Sequence, residues 1–169
     1  GGGGGFRSLG DPDVLVVDGG RTEWRLCGEA RRVIEHLAAR PEQYVVRIAS
    51  ASAAGATARA LLRAYGFSAL VRGAQIYPGN KGARHLAEIA RETGLPLSEA
   101  VFFDDVPSFC RQVEAAGATA VRVDRDRGVT MADLTRGLAR AISTAKSARF
   151  LQQFVRPSSV PKATSKHKS

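Results

Sequence analysis

A chain of 169 residues, 44% of them hydrophobic, is long enough for one domain with an ordinary core, and it has no apolar stretch near the roughly 20 residues that cross a bilayer. Its 25 Lys and Arg against 16 Asp and Glu give a net charge of +9, a balance met in proteins that contact polyanions such as RNA or anionic membrane surfaces. Cys27 and Cys110 lack CxxC spacing and neighbouring histidines, which argues against a zinc site or a disulfide framework and for free thiols.

Residues 1–13, GGGGGFRSLGDPD, form a glycine-rich lead-in with a turn-forming Asp-Pro. VLVV at 14–17 is a β-branched run suited to a strand buried on both faces, and it delivers Asp18 into the bare turn Gly19-Gly20. From Glu29 to Arg40, Val33, Ile34, Leu37 and Ala38 share one stripe and Pro41 follows, so the spacing predicts an amphipathic helix with a stop. YVVRIAS at 44–50 is expected as the next strand, and residues 53–66 as a helix ended by Gly66 in the left-handed conformation. A short ALV at 69–71 precedes the loop QIYPGNK at 75–81, and KGARHLAEIARETG at 81–94 reads as a third helix closed by Gly94. VFFDD at 101–105 is again a strand, PSFCRQVEAAG at 107–117 a helix and ATAVRV at 118–123 a strand. Thr130, followed three residues on by Asp133, predicts the start of a long helix through Met131, Leu134, Leu138 and Ile142.

Strand and helix alternate, which predicts a three-layer, Rossmann-like α/β fold: a mostly parallel sheet with helices on both faces. Ligands of such sheets collect at the carboxyl ends of the strands. The polar residues at those ends are Asp18, Ser50 and the pair Asp104 and Asp105. Together they make a cup of oxygens suited to a hard cation such as Mg²⁺. Asp104 and Asp105 also suit capping of the helix that starts at Pro107. Lys81 is the only lysine before residue 146 in a chain that otherwise uses arginine, and it follows YPGN at the mouth of a helix. A compact ammonium there can pair with a phosphate and with carboxylates.

The order Asp18, Ser50, Lys81, Asp104-Asp105 resembles the haloacid dehalogenase superfamily. Within it, IYPGNK (76–81), ETGLPLSEAVFFDD (92–105) and GVTMADLTRGLARA (128–141) resemble the small magnesium-dependent phosphatase 1 family. The likeness runs from about Val14 to Ala141, and Thr22 and Trp24 also match the pattern after the nucleophile. It implies a capless fold of this type over 14–145, between the lead-in 1–13 and a basic extension 146–169. It also implies an aspartyl-phosphate mechanism. Asp18 would be nucleophile and Mg²⁺ ligand, the backbone carbonyl of Gly20 and Asp104, with Asp105 beside it, would serve the metal, and Ser50 and Lys81 would hold phosphate oxygens.

Three departures cluster around this cup. Family phosphatases carry a general acid and base two positions after the nucleophile, where this chain has Gly20; such a group contributes about 10² to 10⁴ in rate. A substrate loop expected after Trp24 is replaced almost at once by LCGEARR, and the asparagine expected after the acidic pair is replaced by Phe109. The expected function is therefore a pseudo-phosphatase, inactive or very slow, serving as a basic binding subunit of an RNA-containing assembly, for example an organellar ribonucleoprotein such as a ribosome. Arg156, Lys162, Lys166 and Lys168, in a 19-residue tail without acids, would make the phosphate contacts. The alternative is an active Mg²⁺-dependent phosphomonoesterase acting on a small phosphate ester or a phosphoprotein. The absence of a leading methionine is compatible with a removed presequence, so the expected compartment is an organelle such as the mitochondrion, or else the cytoplasm.

Overall fold

The computed structural model describes residues 5–8, 10–17 and 20–154. Asp18, Gly19 and the four basic tail residues lie outside them. No described helix is long and apolar enough to cross a membrane.

The α/β order expected from the sequence is present. Strand β1 (Arg7–Ser8), β2 (Val14–Val17) and β3 (Thr22–Arg25) form an antiparallel sheet in which Val16 faces Glu23 and Val17 faces Thr22. Helix α1 (Ala30–Ala38) buries Val33 and stops before Pro41. Strand β4 (Ile48–Ser50) pairs in parallel with β5 (Ala74–Ile76), and helix α2 (Gly55–Ala64) lies between them in sequence. The chain leaves α2 through Gly66, whose φ of 79° is the left-handed conformation expected of it. A π-wound turn, Lys81–Leu86, runs directly into α3 (Ala87–Thr93), which ends on Gly94 at φ 71°. Strand β6 (Val101–Asp104) pairs in parallel with β7 (Thr119–Arg122) around helix α4 (Pro107–Ala115). Helix α5 runs from Met131 to Phe154, past the boundary expected at 145.

The reciprocal cap at the start of α5 is as the sequence predicts. The Thr130 N–H donates to the Asp133 carboxylate at 3.0 Å, and the Asp133 N–H donates to the Thr130 hydroxyl at 3.2 Å.

Helices cover both faces of the β6–β7 pair, as side-chain alternation along a strand requires. Phe102 and Ala120 pack with Leu86, Cys110, Val113 and Ala118, on the side of α4 and the π-turn. The neighbouring residues Val101, Phe103 and Val121 lie against α5, where a Cβ on Gly137 would come within 2.8 Å of Val121 and 2.9 Å of Val101. A second cluster gathers Leu15, Tyr65 and Phe67 between β2 and α2.

Three local expectations change. The strand predicted over 44–50 is reduced to 48–50, because its partner begins only at Ala74 and Tyr44 is drawn into a turn by donating its N–H to Arg40. The segment read as the loop QIYPGNK gives Gln75 and Ile76 to β5, while Phe67–Ala69 of the preceding segment winds into a 3-10 turn. Arg7 and Ser8, read as part of the glycine-rich lead-in, pair with β2.

The hydrogen-bonded ladders also fall into separate pieces among the described residues: β1–β2–β3, β4–β5 and β6–β7.

Candidate active site

The rim of interest is built where β4, the π-turn and β6 meet. Ser50 ends β4, and its carbonyl accepts from the Tyr77 N–H at 3.1 Å. Asp104 ends β6. Lys81 opens the π-turn because Asn80 caps it, the Asn80 side chain accepting from the Ala83 N–H at 2.8 Å. The close seam between the π-turn and α4 needs Gly82, where a Cβ would stand 2.1 Å from the Gln112 carbonyl.

Lys81 is 2% exposed. Its ammonium donates to the Ala49 carbonyl at 2.5 Å and lies over the rings of Phe102 and Phe109, at 5.5 and 5.1 Å from their centroids. Burial pushes its pKa down, and the nearby Asp104 carboxylate opposes that shift. Burial likewise pushes Asp104 up, against the Val106 N–H and the Lys81 charge. Both shifts favour the neutral forms, the sign expected when desolvation outweighs attraction. Phe109, which stands where the resemblance leads one to expect an asparagine, thus covers the amine with an apolar face.

Asp104 accepts from the Val106 N–H at 2.8 Å, closing the turn just ahead of α4. The bond closes a turn and not the helix itself: the N-cap residue of α4 is Val106, and no side chain caps the helix, so the capping role expected for Asp104 and Asp105 is not taken up. Asp105 faces Arg125 at 3.7 Å. Gly20 is exposed, with φ 94° and open space where a side chain would stand. Among the described residues no three His, Cys, Asp or Glu are placed to hold a metal ion together. The described carboxylates therefore do not by themselves make a Mg²⁺ shell, and Asp18, the remaining candidate carboxylate, is outside the described residues. The structure thus draws Lys81, the Ser50 end of β4 and Asp104 to one place, while Asp105 turns to an arginine.

Sequence reasoning missed His85. Its ring is fully buried, stacks on Tyr77 at 4.3 Å, and places Nε2 at 3.0 Å from the Ser50 carbonyl and 2.9 Å from that of Tyr77, with Nδ1 at 3.1 Å from the Asn80 carbonyl. It ties the end of β4 to the turn that carries Lys81. The available signal was its spacing, four residues after Lys81 on one helical segment.

Similarity to known proteins defines the class to which this fold and rim belong. A family model described as Acid Phosphatase matches residues 7–143. The chain belongs to this acid phosphatase family, which lies within the haloacid dehalogenase superfamily. Magnesium-dependent phosphatase 1 of Homo sapiens is 33% identical over 64 residues, 38% of this chain; the match spans about a third of that relative, 35% of its length. A crystal structure of a HAD family enzyme from Bacteroides thetaiotaomicron, a magnesium complex, is 16% identical, covers 63% of this chain and 57% of its own, and superposes with a TM-score of 0.47. Family membership supports a phosphatase-type function.

Proposed function

We propose that this chain is a phosphatase-family module that hydrolyses phosphate esters very slowly or not at all. The observation that carries this reading is the placement of Lys81. Phosphoryl transfer draws most of its rate from positioned positive charge, and here the one lysine of the rim is spent on a backbone carbonyl beneath Phe102 and Phe109. Gly20 adds to it, since glycine supplies no proton to a leaving group.

The test is turnover of an aryl phosphate with Mg²⁺ present. The wild type is expected near background, and Gly20→Asp is expected to raise the rate, up to about 10² over wild type, the lower end of what a general acid supplies. Wild-type turnover at the rate of an ordinary phosphatase, abolished in Asp18→Asn, would overturn the reading and leave the active-esterase alternative. The net charge of +9 supports the further reading that this module binds a polyanion such as RNA within a larger assembly.

A further inference from the structure

Two long runs of the chain contain no acid. Residues 43–87 hold six Lys and Arg and no Asp or Glu, and residues 134–169 hold eight and none. The rest of the chain sets 11 Lys and Arg against all 16 acids, so the whole positive excess comes from these two runs. A surface built only for solubility intersperses both signs.

Within the first run, Arg47 faces Glu92, Lys81 donates to the Ala49 carbonyl and Arg84 lies over the Tyr77 ring. The other three, Arg59, Arg63 and Arg72, are exposed, and among the described residues none of them has an ion pair. Arg59 and Arg63 stand four residues apart on α2, about 6 Å along its axis and on one face. Arg72 follows in the bend that returns the chain to β5. Like charges at this helical spacing repel and weaken the helix. The helix dipole favours a cation in the last turn, which accounts for Arg63 and leaves Arg59 unexplained. Elsewhere the fold supplies carboxylates: Arg31 and Arg32 of α1 face Asp13 and Glu29, and Arg136 and Arg140 of α5 face Asp133 and Glu114. Helix α2, GATARALLRA, has no acid of its own.

We propose that the exposed face of α2 docks the phosphodiester backbone of a nucleic-acid duplex, Arg59 and Arg63 each taking one phosphate and Arg72 a third. The proposal rests on the polyanion reading given above and assigns it a surface. An arginine fork matches phosphate oxygens in pairs. The exposed residues beside the two arginines are Ala56, Thr57 and Ala64, too short to read base edges, so the contact positions without specifying sequence. A lipid surface fits this face poorly, because an interfacial helix buries an apolar side among the headgroups. Leu61 and Leu62 of α2 pack inward with Tyr65 and Phe67, and the large exposed hydrophobics among the described residues, Trp24, Val45, Leu95 and Ile142, all lie off α2.

The test is binding of the full chain to a short RNA duplex of arbitrary sequence across a salt series. Each phosphate contact contributes about 0.9 to the slope of log affinity against log salt. Arg59→Gln combined with Arg63→Gln is therefore expected to lower the slope by about 1.8, so that raising salt from about 50 to about 200 mM weakens the wild type roughly tenfold more than the variant. Arg59→Lys with Arg63→Lys keeps both charges and should keep the slope. Arg32→Gln with Arg91→Gln removes the same net charge from arginines that face Glu29 and Glu88, and it should change the slope far less. A DNA duplex of the same sequence, measured alongside, decides which nucleic acid is the better source of the phosphates. An unchanged slope in the α2 variant, an equal loss in the paired-arginine control, or a loss seen only on phosphatidylserine vesicles would overturn this surface and leave the polyanion reading standing. A wild type that binds neither duplex at about 50 mM salt would overturn both.

Discussion

Gly82→Ala puts the seam beneath Lys81 under a defined load. Gly82 sits in a helical segment, so alanine gains about 1 kcal/mol of helix propensity. Against that, the new Cβ would stand 2.1 Å from the Gln112 carbonyl oxygen and 2.9 Å from the Ala116 Cβ. The first of these neighbours is backbone, which has no rotamer through which to yield. The π-turn and α4 must separate by about an ångström, and a gap of that size weakens the dispersion attraction across the seam by about a quarter to a half. Overpacking of this kind costs about 3 kcal/mol at the upper end of the usual range, so the net expectation is a destabilisation of about 2 kcal/mol. With a urea slope of about 2 kcal/mol per molar, the unfolding midpoint should fall by about 1 M. Gly137→Ala is the internal comparison: its close neighbours, at 2.8 and 2.9 Å, are the methyls of Val121 and Val101, and side chains can shift, so it should be destabilised less. A midpoint for Gly82→Ala equal to or above that of the wild type would refute the reasoning.

Asp133, 1% exposed, accepts from Thr130 and faces Arg136 at 2.6 Å and Arg127 at 3.4 Å; Asp133→Ala should cost about 1 to 2 kcal/mol by thermal or urea unfolding, chiefly through the lost cap, because both arginines are more than half exposed and their pairs are screened by solvent. Lys81 also predicts a pH dependence. Its folded pKa lies below the ordinary 10.5, so between the two values the unfolded chain holds more protons and stability rises with pH. Lys81→Met should remove that rise, and a wild-type minus variant difference in unfolding free energy that stays flat from pH 7 to 10.5 would contradict the assignment. For the polyanion reading, this chain should sediment in a heavy complex at low salt and be released at high salt, since each phosphate contact adds to the salt slope; migration as a free species of about 18 kDa at both salts would end it.

The sequence by itself determined the order of the helices, because periodicity, Pro41, Gly66, Gly94 and the Thr130–Asp133 cap are local signals whose physics needs no distant partner. It also determined which polar residues stand at the strand ends, and the absence of an acid at position 20. Tertiary structure decided what those residues do. The sequence shows one lysine among arginines, but only packing reveals that Phe102, Phe109 and the Ala49 carbonyl enclose it. The ring of His85 gains its meaning from carbonyls 5, 8 and 35 residues away. The run VLVV satisfies equally the rule for a buried central strand and the needs of a surface hairpin, because residue composition fixes how apolar a strand is and leaves open which edge it pairs with. Pairing depends on the whole chain, and among the described residues it yields three separate ladders, β1–β2–β3, β4–β5 and β6–β7.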